Sequence, residues 1–143
     1  TIIIELAEHF GNQAIVASID VKRNLFGKYH VFSNSGTKKH RIDPVVWAKE
    51  LERLGAGEIL LTSINQEGTW DGFDLSIIER ISNAVNVPVI ANGGASSIED
   101  IVSAVKKGGA SAVSVGSMVV YQNKGMGVLV NFPDNEKLKK ELQ

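Results

Sequence analysis

The chain has 143 residues, a formal net charge of −1, no cysteine and three histidines. That length suits one domain with a real core, and near-neutrality argues against a nucleic-acid binder, which would present a basic face. With no cysteine there is neither a disulfide nor a thiolate site, and His9, His30 and His40 lack ligand spacing, so no metal is expected.

The sequence opens TIIIELAEHFG, without an initiating methionine and already in a helical pattern, which reads as a piece of something longer. Ile3, Ile4, Ala7 and Phe10 suit one face of a helix over residues 1–11, with Gly11 as its stop. Ala14 to Ile19 is an apolar run of strand length, closed by the charge of Asp20. In the long connection from Val21 to Asp43, Tyr29 to Phe32 suits half of a small hairpin. Lys38, Lys39, His40 and Arg41 then stand in a row. Such a run is ordinarily a solvated loop, though its place after a strand end leaves room to cover an anion. Asp43-Pro44 is a helix start, and Val46, Trp47, Leu51 and Leu54 give that helix an apolar face ahead of Gly55. Glu58 to Thr62 is the next strand, followed by the loop NQEGTWDG and a helix opened by Asp74 that carries Leu75, Ile78, Ile81 and Val85.

The stretch from Val87 to Asp100, VPVIANGGASSIED, organises the rest. It begins as a short strand of the kind buried on both faces of a parallel sheet and ends at Asn92. Gly93 and Gly94 follow, with no side chains to block a ligand. Ser96 with Glu99 matches a capping box, which would turn the amides of a new helix toward the same crevice. Strand, glycine pair and helix start make a place for a phosphate; the same residues read equally as a plain tight turn. The helix runs over Ile101, Val102 and Val105 to Gly108, and a last strand covers Ala112 to Val115 before Gly116-Ser117. Met118 to Phe132 has no clear period, and Asp134 to Gln143 suits a short charged helix.

A helix followed by four strand–helix units, with an internal echo between LERLGAGEILLTS and VKKGGASAVSVGS, argues for a parallel sheet, either open or closed into a barrel. Ligands in such folds sit beyond the carboxyl ends of the strands. Those ends are Asp20, then Thr62 and Ser63, then Asn92 with the glycine pair, then Gly116 and Ser117. Asp20 is the one carboxylate directly ending a strand, either a proton-transfer group or a turn cap. Gly68, Gly94 and Ser117 offer amides and a hydroxyl for a phosphate cradle. Glu67 beside it is a second acid or base, or a solvated side chain. Glu58, at the amino end of its strand, is either solvated or turned into the bottom mouth of a barrel.

The segments QAIVASIDVKR, GAGEILLTSINQEGTWDGFD, VIANGGASSIED and SAVSVGSM, in that order and spacing, resemble the cyclase subunit of imidazole glycerol phosphate synthase, over the carboxyl-terminal half of that subunit. The resemblance implies a (β/α)8 TIM barrel of which residues 1–143 form one half-barrel of four βα units, preceded by the helix at 1–11. It implies ammonia taken from a glutaminase partner, a bisphosphate ribulosyl nucleotide closed to an imidazole in histidine biosynthesis, and no cofactor. By motif, Asp20 resembles the general acid; Thr62, Gly68, Asn92, Gly93, Gly94, Gly116 and Ser117 fall on the substrate and phosphate site; and Glu58 falls on the ring gating ammonia. Asn65 and Glu67 stand where the family usually has aspartates, and Asn92 where serine is familiar. These departures resemble a paralogous branch that aminates sugars for surface polysaccharides. A half-barrel alone would leave two apolar edges, so pairing with the missing amino-terminal half or with a second copy is expected. A binding-only half-barrel without turnover is the non-enzymatic reading. No run reaches membrane-span length and no signal peptide is visible, so the cytoplasm is the expected compartment.

Overall fold

A computed structural model describes residues 1–121 and 123–143. Six strands form one sheet in the order β3-β2-β1-β4-β5-β6, where β1 is Val16–Arg23, β2 Tyr29–Ser33, β3 Lys38–Lys39, β4 Glu58–Ser63, β5 Val89–Asn92 and β6 Ala112–Ser114. The strands β1, β4, β5 and β6 are parallel neighbours, and β2 and β3 add an antiparallel hairpin to the edge of β1. The helices are α1 (Ile2–Phe10), α2 (Pro44–Arg53), α3 (Leu75–Ser82), α4 (Ile98–Lys106), the one-turn α5 (Ser117–Val120) and α6 (Asn135–Leu142).

Local chemistry sets most boundaries. Gly11 caps α1 at φ 85°. The Asp43 carboxylate caps α2 by accepting from the amides of Val45 and Val46, with Pro44 in the first turn. The cap of α4 lies one residue later than the sequence suggests. Ser97 Oγ accepts from Asp100 N, and the Asp100 carboxylate accepts from Ser97 N. Glu99 instead takes the ammonium of Lys137 at 2.9 Å, tying α6 to α4, and this bond holds the Glu99 carboxyl below its usual range.

The parallel strands are covered on one face. Ala17, Ile19, Val21, Ile59, Leu61, Val89 and Ala91 are buried in one cluster with Ala48 and Leu51 of α2, Ile77, Ile78 and Ile81 of α3, and Ile101 and Ala104 of α4. The alternate residues, among them Leu60, Thr62, Ile90 and Asn92, are only partly covered. β5 is therefore buried on one face rather than two, because the alternate face carries no second layer among the described residues. Ile4 and Phe10 of α1 are exposed, as is Val46, while Val85, beyond the end of α3, is buried.

Strand β1 is the main correction to the sequence reading. Asp20 does not end it: the strand runs on to Arg23, because Asp20 to Arg23 pair with Phe32 to Tyr29 of the hairpin. The parallel ladder with β4 ends at Val21↔Ser63, so Asp20 sits at the carboxyl end of the parallel part of the sheet.

Candidate phosphate site

Register brings the polar strand ends into one row. Asp20 stands beside Thr62, Thr62 beside Asn92, and Asn92 beside Ser114. Alternation then puts all four on the partly covered face. Asn92 Nδ2 donates to Thr62 Oγ1 at 3.1 Å, which leaves the threonine hydroxyl proton to be donated elsewhere. One layer down, Ser18, Leu60, Ile90 and Ala112 stand in register, and below them Val16 pairs with Glu58. Glu58 and Thr62 thus share a face, about 13 Å apart along β4.

Beyond the row lies a hollow of about 80 Å³, the size of a few waters. Three loops wall it: Glu67, Gly68 and Trp70 after β4; Asn92, Gly93, Gly94 and Ala95 at the end of β5; and Ser114, Gly116 and Ser117 at the end of β6. Gly94 clasps two of these loops together. Its carbonyl accepts from Gly72 N at 2.9 Å, its φ is 103°, and a Cβ there would run into the Gly72 carbonyl and Gln66 Cβ. A side chain at Gly68 or Gly116 would meet nothing within 4 Å. Among the described residues the amides of Gly68, Gly94, Gly116 and Ser117 donate to no protein acceptor. Gly94 is buried and Ser117 half-buried, while Gly68 and Gly116 face water, and the four residues gather around one small space. That arrangement suits an anion.

The start of α4 contributes less than the sequence suggests. Asp100 Oδ2 accepts from Ser96 N at 2.9 Å, Ser97 N at 3.1 Å and Ser96 Oγ at 2.7 Å, so those donors are already spent on the protein's own carboxylate. The exposed Glu67 is the one ionisable residue in the lining, among the described residues. Lys124 sets a positive charge on the same loop by donating from Nζ to Thr69 O at 2.6 Å. Trp70, at φ 66°, Lys124 and Ser114 are features of this site that no pattern in the sequence announced; the sequence carries the last strand to Val115, whereas the structure ends it at Ser114.

The other predicted residues sort clearly. Glu67, Gly68, Asn92, Gly93, Gly94, Gly116 and Ser117 line the hollow. Thr62 joins it through Asn92, Asp20 lies one strand beyond Thr62, and Glu58 lies apart at the amino end of β4. Asn65 is a structural residue: its side chain pairs with the Arg23 backbone, Oδ1 accepting at 2.7 Å and Nδ2 donating at 3.3 Å, and so closes the end of β1. The basic run lies at the opposite edge of the sheet, where His40 Nε2 and Ser33 Oγ share a hydrogen bond of 2.7 Å. On the same hairpin, desolvation and then Lys39 and Lys28 hold the His30 imidazole below its ordinary pKa. Tyr29 donates to Asp74 Oδ1 at 2.8 Å, and burial first, then this bond, push its phenol up. Among the described residues no group of three or more His, Asp or Glu is placed to hold a metal, and no helix is long and apolar enough to cross a membrane.

Residues 1–125 match the family model described as histidine biosynthesis protein. The chain is 42% identical over 138 residues to a putative imidazole glycerol phosphate synthase subunit hisF2 of Pseudomonas aeruginosa, covering 96% of this chain and 55% of that protein. It is 46% identical over 121 residues to the imidazole glycerol phosphate synthase subunit HisF of Alkaliphilus metalliredigens, covering 85% of this chain and 48% of the relative. For the HisF subunit of Sulfurisphaera tokodaii the identity is 51% over 105 residues, covering 73% and 42%. The chain spans about half the length of the curated relatives it matches.

Proposed function

The chain belongs to the histidine biosynthesis protein family, and from that premise we propose that residues 1–143 act as the carboxyl-terminal half-barrel of an ammonia-using cyclase. The observation that carries this reading is the convergence of free amides beside the row Asp20–Thr62–Asn92–Ser114. In it, Gly68, Gly93, Gly94, Gly116 and Ser117 grip one phosphate of a phosphorylated substrate. Thr62 and Asn92 orient the adjoining carbon chain, and Asp20 delivers a proton to the group that departs as the ring closes. Glu67, at the rim of the hollow, is the second acid or base. Ammonia from a glutaminase partner enters past Glu58, passes the mostly apolar layer of Leu60, Ile90 and Ala112, and reaches the polar row.

The edges of the sheet support an eight-stranded assembly. β6 ends the sheet on one side, and on the other the hairpin pairs only with residues 20–23, leaving the Val16–Ile19 edge of β1 open. Both edges run parallel to their neighbours, and the face between them lacks a second layer. A complementary half-barrel, or a second copy of this chain, supplies the missing strands.

The test is turnover of the bisphosphate ribulosyl nucleotide with added ammonia, by this chain alone and joined to a complementary amino-terminal half. Turnover from the joined protein only is expected. In that protein Asp20→Asn should lower the rate by about 10²–10⁴-fold, the usual loss for a general acid; a near-normal rate would remove Asp20 from the mechanism. A second reading, amination of a sugar for surface polysaccharide, is favoured by Asn65, Glu67 and Asn92, which stand at positions where the resemblance leads one to expect aspartate or serine. Rescue of a histidine auxotroph decides between them.

A further inference from the structure

Charge is unevenly spread along this chain. Residues 21–42, from the end of β1 through the β2–β3 hairpin, carry six of the fifteen Lys and Arg and none of the sixteen Asp and Glu. That segment is formally +6, against −7 for the rest. Its cations are Lys22, Arg23, Lys28, Lys38, Lys39 and Arg41. All six are exposed, and among the described residues none makes an ion pair. Lys22 pairs in register with His30, and Phe32 with Lys39, so alternation sets Lys22, His30 and Lys39 on one face of the hairpin.

The turn between β1 and β2 holds two apolar side chains out in water. Asn24 fastens it: its Oδ1 accepts from Phe26 N at 3.0 Å and Lys28 N at 2.9 Å, its N donates to Lys28 O at 2.9 Å, and its O accepts from Gly27 N at 3.0 Å. Leu25 and Phe26 take the two central positions, 101% and 94% exposed, whereas the next most exposed large apolar side chain, Phe132, reaches 75%. Neither belongs to the core cluster. Because β1 runs past its last pairing with β4, Val21↔Ser63, before turning, the tip projects beyond the carboxyl ends of the parallel strands, and neither residue lines the hollow. A bare apolar pair rimmed by cations marks a contact surface.

We infer that this tip docks on an anionic lipid bilayer, Leu25 and Phe26 entering the interface while Lys22, Arg23, Lys28 and Lys39 meet headgroup phosphates. The complementary charge selects an anionic partner, and the shape selects the bilayer among them. A protein would need a pocket cut for both side chains, whereas a bilayer accepts a convex apolar tip as it stands. The fixed turn lowers the ordering cost of insertion. The contact is peripheral, with the chain lying on the membrane rather than crossing it, and it is independent of the phosphate reading.

Co-sedimentation with vesicles made of equal parts phosphatidylglycerol and phosphatidylcholine, and with phosphatidylcholine alone, tests it. The chain should bind the anionic vesicles at least about tenfold more tightly than the neutral ones. Salt at about 1 M, where charges are screened beyond about 3 Å, should remove most of that margin. The double variant Leu25→Ser, Phe26→Ser should bind anionic vesicles at least about tenfold more weakly, and Lys28→Gln with Lys39→Gln should lose about as much. Phe10→Ser, at an exposed apolar residue of α1, should leave binding unchanged. Circular dichroism confirms that the variants fold. Equal binding to neutral vesicles, full binding by the Leu25/Phe26 variant, or an equal loss from Phe10→Ser would overturn the inference. No binding to anionic vesicles at low salt would overturn it too, and leave an acidic protein surface as the occupant to test.

Discussion

Gly94→Ala separates the glycine that holds the site together from those that merely line it. At φ 103° an L side chain costs about 1–3 kcal/mol in backbone strain. The new Cβ would also collide with the Gly72 carbonyl and Gln66 Cβ, so the two loops must part. Parting them breaks the 2.9 Å bond from Gly72 N to Gly94 O, which contributes about 1 kcal/mol. Together the loss is about 2–4 kcal/mol, a large share of the roughly 5–15 kcal/mol that holds a domain folded. Urea unfolding followed by circular dichroism, extrapolated to water, measures it. Gly116→Ala is the internal control. At φ −117°, with nothing within 4 Å of a new Cβ, it should stay within about 0.5 kcal/mol of wild type. The reasoning is refuted if Gly94→Ala unfolds with wild type, or if Gly116→Ala is as damaging.

Tyr29→Phe should cost about 1.5–3 kcal/mol, the range for a hydrogen bond to a charged acceptor, because it removes the 2.8 Å bond to Asp74 between hairpin and α3. The native phenol is held above 10.0, so the bond's contribution is full below that pH and fades as pH rises through the higher native value; urea midpoints from neutral to alkaline pH should show this fall in wild type and not in the variant. Size-exclusion chromatography with light scattering should give about twice the 15.4 kDa of one chain, since the open edges and uncovered face favour association. A stable, soluble monomer would count against the half-barrel reading.

What the sequence made legible was what local chemistry decides. Asp43-Pro44 starts a helix and Gly11 stops one because the cap and its glycine are a few residues from the backbone they serve. The polar strand ends were legible too, since equal spacing along parallel strands puts them at one level. The extension of β1 past Asp20 was not, because it depends on pairing with residues of the hairpin that follows. The α4 cap was ambiguous at close range: two serines precede two acids, and only the packed turn chooses Ser97 with Asp100. The single-sided burial of β5 and the strained Trp70 have no local signature, since both depend on what other segments do or do not cover.

A titration of isotopically labelled protein with inorganic phosphate, followed by two-dimensional amide NMR, tests the central claim most directly. The largest saturable shifts should fall on Gly68, Gly94, Gly116 and Ser117, with the hairpin amides of Lys28 and Lys39 little changed. Shifts confined to the hairpin, or none at any concentration that saturates a millimolar site, would contradict the account.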